Sequence, residues 1–269
     1  MSETKRKKEI EESEEEPEVP EEDKKVSEEI DQDLEAETAK RVYETPEERA
    51  AREAREKLKK WVPKTELGRE ILNGKITNID ELLNSGRKIM EPEIVDSLLD
   101  LKIELLNIGK AKGKFGGGKR RAWRQTQKKT QEGNIPTFSV MVVVGDKNGH
   151  VGLGVGRAKE TLPAKEKAIR KAKLNIIRIK RGCASYDCLC NDPHSIPMAT
   201  KGGCSSVIVN LMPAPQGTGL VAGDELKKVL KLAGIKDIYS KTFGKTRTTI
   251  NTAKACIAAL EKLNEIEEK

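Results

Sequence analysis

Cys183, Cys188, Cys190 and His194 fall close together as C-x4-C-x-C-x3-H. Three thiols and an imidazole form a donor set that suits tetrahedral zinc. The spacing is not the usual pair of C-x2-C units, and Cys204 is an alternative fourth ligand. A loop of free thiols is the competing reading. The chain has five cysteines, an odd number, and three of them cluster. In a reducing compartment that pattern points to metal or free thiols before disulfides. Cys256 fits an apolar helix face and is expected in a core.

Two glycine patterns imitate nucleotide sites. Gly113-x4-Gly118-Lys119 has P-loop spacing, but Arg120 stands where a metal-binding hydroxyl is needed and no apolar helix follows at once. Gly152-x-Gly154-x-Gly156 lies within a strand pattern, not at a strand-to-helix turn, so it is not a dinucleotide fingerprint. Glycines in such a strand allow close backbone approach or a bulge. With two histidines, no Ser/His/Asp order and no carboxylate cluster in the body, nothing in the chain asks for catalysis.

The strongest chemical signal is charge. Residues 1–37 hold 17 acids and 6 bases, leaving 45 bases and 27 acids for the rest of a 269-residue chain. A body that basic favours an anionic polymer as partner. Residues 109–131 carry nine Lys or Arg and no acid, among them Lys110, Lys112, Lys114, Lys119, Arg120, Arg121 and Arg124. Gly113, Gly116, Gly117 and Gly118 argue against regular structure there, and Phe115 and Trp123 can stack on bases, so a flexible basic loop that orders on RNA is expected. There is no run of about 18 apolar residues and no apolar leader, which points to an intracellular location.

The elements that must position these groups follow from pattern. Residues 1–44 read as a disordered acidic tail, since they cannot bury enough apolar surface to offset the entropy of ordering. Residues 45–100 read as a helical extension. Thr45 and Glu48 form a capping box, and short helices are expected at Glu66–Leu72, Ile79–Leu83 and Glu93–Leu99. Alternation predicts a first strand over 101–108. Val140, Val142 and Val144 share one face of a second strand and Met141 and Val143 the other, so this strand is expected to be internal. Asp146-Lys147-Asn148-Gly149 turns it into a third strand over 150–157. Thr161 is expected to cap a helix over 162–178, with Leu162, Ala164, Ala168, Ile169, Ala172 and Ile176 on its apolar face. Lys167, Arg170, Lys171 and Lys173 share the other face. Arg157 and Lys159 before the helix, and Arg178, Lys180 and Arg181 after it, extend the positive surface. A cysteine-rich linker, 182–204, leads to a second strand–helix–strand–helix unit over 205–269. Its strand 206–212 precedes a turn-rich loop, 213–219. Asp224 caps its first helix, Lys241, Lys245 and Arg247 lie at the exit of its second strand, and a last helix starts near Thr249. The fold class is therefore α+β with two small domains, 101–181 and 205–269.

Several long stretches resemble the fifth protein of the small ribosomal subunit in its archaeal form. They are VVVGDKNGHVGLGVGRAKE (142–160), KAKLNIIRIKRG (171–182), PHSIP (193–197), LMPAPQGTGLVAGDELKKVLKLAGIKDIYSKTFGKTR (211–247) and TAKACIAAL (252–260). The resemblance implies a double-stranded-RNA-binding-like α/β sandwich, then a βαβα domain with a left-handed crossover. It implies small-subunit rRNA and neighbouring ribosomal proteins, notably the fourth, as partners, with the messenger RNA path nearby. It implies a cytoplasmic role in subunit assembly and translational accuracy. The loop that approaches the decoding region in that family corresponds to 109–137, lengthened by FGGGKRRAWRQTQKKTQEG. The alternative reading is a regulatory RNA-binding protein outside the ribosome.

Overall fold

A computed structural model of the chain describes residues 49, 52, 56, 58–110, 120–183, 188, 190 and 192–265. The expected acidic tail, the capping box at Thr45, and Lys112, Lys114, Phe115 and Lys119 lie outside the described residues. By internal contacts the chain divides into residues 1–60 and residues 61–269. In the first unit, residues 49, 52, 56, 58 and 59 are helical, with Arg52 and Glu56 3.7 Å apart one turn on.

The second unit opens with three short helices, α1 (Glu66–Leu72), α2 (Ile79–Asn84) and α3 (Pro92–Leu98). Glu91 locks their entry. Its carboxylate accepts hydrogen bonds from the Trp61 indole at 2.9 Å and from the amides of Lys64 (2.9 Å) and Thr65 (2.7 Å). Burial works against its charge, but these donors hold its pKa below the ordinary value.

The strands and helices that follow are β1 (Lys102–Leu105), β2 (Gly109–Lys110), β3 (Arg120–Arg121), β4 (Trp123–Thr130), β5 (Gly133–Gly145), β6 (His150–Ala158), α4 (Thr161–Leu174) and β7 (Ile176–Arg178). After the cysteine segment come β8 (Thr200–Cys204), β9 (Val207–Pro213), β10 (Leu220–Val221), α5 (Asp224–Leu232), β11 (Ile238–Phe243) and α6 (Thr249–Glu265). The first sheet has the order β1-β5-β6-β7, and the second β10-β11-β9-β8. β5 is internal, as its apolar faces require. β1 pairs with its second half (Val142–Gly145) and β4 with its first (Gly133–Val140), both antiparallel on one edge. Val140, Val142 and Val144 pack with the alanines of α4 and with Ile79, Leu82, Ile94 and Val95 of the short helices. Met141 and Val143 face the other way, into a core shared with the second sheet and its helices. Among the described residues no helix is long and apolar enough to cross a membrane.

Several expectations need correction. Segment 120–130 is not irregular: β3 and β4 occupy it, because the glycines stop at Gly118 and β4 finds a long partner in β5. Thr161 is the first residue of α4, not its cap; Glu160 holds that place without a side-chain hydrogen bond. Leu162, in the first turn, overhangs the sheet and is 71% exposed. The helix ends at Leu174, not 178, since Asn175 leaves helical geometry and the β-branched pair after it adds β7 to the sheet. Gly223, not Asp224, caps α5. The expected linker is ordered at its end, where β8 pairs with β9.

The glycines of β6 set the depth of the first domain's helix–sheet contact. A Cβ on Gly154 would lie 2.1 Å from the Ala168 carbonyl oxygen and 2.4 Å from the Ala172 amide nitrogen. Gly152 and Gly156 meet the carbonyl oxygens of Ala172 and Ala164 at 2.2 and 2.1 Å in the same way. The G-x-G-x-G run therefore serves close backbone approach.

Candidate metal centre and nucleic-acid interface

The C-x4-C-x-C-x3-H residues converge. The ligand atoms of Cys183, Cys188, Cys190 and His194 all lie within 4.8 Å of one another. Cys188 Sγ is 2.8 Å from Cys190 Sγ and 3.4 Å from His194 Nε2. All three cysteines are free thiols. Cys204 is not in the group: it ends β8, paired with Val207, and drops out as a fourth ligand.

Backbone pairing holds the cluster from both sides. Gly182 and Ser195 form an antiparallel bridge. The His194 carbonyl accepts from the amides of Lys236 (2.8 Å) and Asp237 (3.1 Å), at the foot of β11. The His194 ring is almost fully buried, with Nδ1 2.9 Å from the buried Asp237 carboxylate. That contact does not make a hydrogen bond, so Asp237 stands beside the ring and bears on it by position. It leaves Nε2 turned toward the thiols, the arrangement in which a carboxylate orients a metal-binding imidazole. Asp237 is also tied down by the Gly219 amide at 2.8 Å. Among the thiols, the hydrogen bond from Cys190 and then backbone amides, Gln216 included, lower the Cys188 pKa to about 6. The same shared proton, with burial, raises Cys190 to about 11. The donor set, the oriented ring and a readily ionised thiol fit a tetrahedral metal ion.

The cationic residues separate into those tied into the fold and those without a carboxylate partner among the described residues. On α4, Lys167, Arg170 and Lys171 are exposed and have no carboxylate partner among the described residues. Lys173 differs: its ammonium lies 2.6 Å from Asp96 and fastens α3 to α4. Arg178 pairs with Asp80 at 3.3 Å. Arg181 donates to the carbonyls of Lys147 and Asn148, and Arg157 to the Ser139 hydroxyl. Lys180 is engaged as well. Lys159, Arg120, Arg121, Arg124, Lys241, Lys245 and Arg247 are exposed. Lys110, Arg121, Arg124, Lys245 and Arg247, distant in sequence, line one cleft together with Trp123.

Two residues with structural work were not singled out from sequence. Asp237 orients His194 across the fold, and no local spacing signals it. His150 is clamped between Asp146 (Nδ1 to Oδ2, 2.6 Å) and Asp80 (Nε2 to Oδ1, 3.0 Å). Burial pulls the His150 pKa down, but the two carboxylates outweigh it and the net shift is upward. The D-x3-H spacing around the hairpin turn was the available signal.

Residues 108–180 match the family described as ribosomal protein S5, N-terminal domain, and residues 202–269 match ribosomal protein S5, C-terminal domain. The chain is 51% identical over 210 residues to small ribosomal subunit protein uS5 of Nanoarchaeum equitans, covering 78% of this chain and 90% of that one. It is 48% identical to the uS5 proteins of Staphylothermus marinus and Methanocaldococcus jannaschii, over 77% of this chain and 90% and 89% of theirs.

Proposed function

The chain belongs to the ribosomal protein S5 family in its archaeal form and is a structural component of the small ribosomal subunit; from that premise we propose that it grips rRNA through Lys167, Arg170 and Lys171 on α4 and through the exposed cations of the β2–β4 region. The observation that carries this reading is the α4 face itself. Three cations without a carboxylate partner among the described residues stand on a helix pressed onto glycines, so their spacing is rigid. Phosphate contacts of this kind supply affinity, and the A-form shape supplies selectivity. The chain acts without catalysis. The reading as a regulatory protein outside the ribosome is not supported by the relatives.

Within the second unit, 101–181 and 205–269 are taken as the two domains, in keeping with the two matched family segments. Placement of the β4–β5 arm (Trp123–Gly145) near the messenger RNA path, contact with the fourth small-subunit protein, and support of assembly and accuracy belong to the same reading. Cys183, Cys188, Cys190 and His194 would hold one structural zinc ion. A zinc ion there would supply cross-linking charge in place of apolar volume, tying the end of the first domain to the foot of β11.

Sedimentation of lysate at low and high salt tests the assignment. The chain should travel with small subunits; a wholly soluble pool would overturn it. Replacing Lys167, Arg170 and Lys171 with Ala should weaken binding to small-subunit rRNA and flatten its salt slope by about 2 to 3. An unchanged slope would remove α4 from the interface.

A further inference from the structure

At the base of the β4–β5 arm lies a cleft of ≈ 780 Å³. Two regions far apart in sequence wall it. One wall is Lys110, Arg121, Trp123 and Arg124; the other is the β11 exit, with Lys245 and Arg247, and the first turn of α6. Among the described residues no acid lines the cleft. None of its five cations has a carboxylate partner among the described residues, and together they make the cleft suited to an anionic ligand. Trp123 is 42% exposed at this spot. Its backbone is fixed on two sides, by pairing with Val140 and by Gly109, where a Cβ would sit 1.9 Å from the Trp123 carbonyl oxygen. The indole is therefore held on a rigid support instead of lying down on the core. Opposite it, α6 begins at Thr249; the amides of Asn251 and Thr252 donate to the Thr248 carbonyl, while those of Thr249 and Ile250 have no partner among the described residues and lie at the positive end of the helix dipole.

We propose that this cleft takes one unpaired RNA nucleotide, with its base against Trp123 and its flanking phosphates between Lys245, Arg247 and the start of α6. The inference rests on the rRNA-binding reading but differs from it in kind. The α4 face meets duplex backbone, whereas a base inside an A-form stack has no free face for an indole. A cationic groove with one aromatic platform is how single strands are held without dependence on sequence. Asn251, whose amide both donates and accepts, is placed to meet a base edge.

The full chain is titrated with an eight-residue oligouridylate while tryptophan emission is followed, with a blunt 20-base-pair RNA duplex as competitor. The oligonucleotide should quench emission in the wild-type chain and not in Trp123→Phe, and the duplex should not relieve the quenching. Trp123→Ala should weaken oligonucleotide binding about tenfold. Lys245→Ala with Arg247→Ala should lower the salt slope by about 1.4, two phosphates' worth on a single strand. These lysine and arginine side chains are exposed, so the double variant carries the test should Trp123→Ala melt early. Absence of quenching, or equal affinities for wild type and the double variant, would overturn the cleft. Binding of intact small-subunit rRNA, measured in parallel, separates the two readings. Its loss in the wild-type chain condemns the proposed function, while its persistence with an unquenched Trp123 condemns the cleft alone.

Discussion

Helix α4 lies on β6 and helix α6 lies on β8, and both contacts are made through small residues. They are nonetheless built differently. α4 meets three glycines with three fully buried alanines, and its other face is cationic. α6 meets one glycine, Gly202, through Ala255 and Ala259, and surrounds that point with Cys256, Leu260 and Leu263. The first contact is specified by proximity and contains little volume to lose. The second is specified by volume. A domain that presents a fixed array of charges to a polymer gains from the first design, because two backbones in contact cannot slide or rock as side chains can.

The sharpest way to break this contrast is to add carbon to one contact and remove it from the other. Gly154→Val puts two methyls where a Cβ already meets three backbone atoms of α4. It should cost about 3 kcal/mol or more, shown as a lowered denaturant midpoint. Leu260→Ala should cost about 3 kcal/mol through the cavity it leaves. By contrast Leu162→Ala, at an exposed apolar residue of α4, should be nearly neutral. If Leu162→Ala cost as much as Leu260→Ala, the first domain would depend on volume after all.

The cysteine segment joins these two regions, and metal removal probes the joint. Chelation should lower the melting temperature of the wild-type chain by several degrees and leave Cys188→Ser unmoved. Elemental analysis should find about one zinc per chain. Metal-free protein with an unchanged melting curve would mean that backbone pairing at Gly182–Ser195 and the His194 carbonyl bonds suffice.

How much of this could be read from the chain depends on range. The β5–β6 hairpin, the alanine face of α4, and the starts of α1 and α6 were legible because local periodicity and turn chemistry determine them. The end of α4 was not: a basic, apolar run such as Lys171–Lys180 satisfies either period, and only pairing with β6 chooses strand for Ile176–Arg178. β4 and β8 were missed for the same reason, each being a strand that exists because of a partner. At the candidate metal site the four donors were visible in 183–194. The exclusion of Cys204 and the role of Asp237 were not, since both follow from where the second sheet runs. Of the expected RNA-binding cations, charge alone could not separate Lys171, which has no carboxylate partner among the described residues, from Lys173, which fastens α3.

His150 belongs only to the first region, where it ties α2 to the hairpin turn. Its raised pKa means that its contribution is fully present below its ordinary value of 6.5 and is lost as pH rises through the folded value. Asp146 has a lowered pKa, with donors from His150 and two backbone amides outweighing burial. Its contribution is present above 3.8 and lost as pH falls through the folded value. The clamp is therefore strongest between those limits. His150→Gln should cost about 1 kcal/mol near pH 5.5 and progressively less toward pH 8 in denaturant titrations. A loss independent of pH would show that the ring matters for shape and not for charge.

The smallest stability effect should come from the residues with the largest effect on binding. Lys167, Arg170 and Lys171 touch no acid among the described residues, so replacing them with Ala removes no partner and buries nothing. Stability should stay within about 0.5 kcal/mol. Helix propensity, if anything, favours Ala. Removing three like charges from one face also relieves repulsion, so the melting temperature of the free chain should hold or rise slightly at low salt. A triple variant that bound rRNA weakly and also melted early would mean that these cations support the fold. The division between a glycine-seated contact that sets geometry and a cationic face that meets RNA would then fail at α4, where it is drawn most sharply.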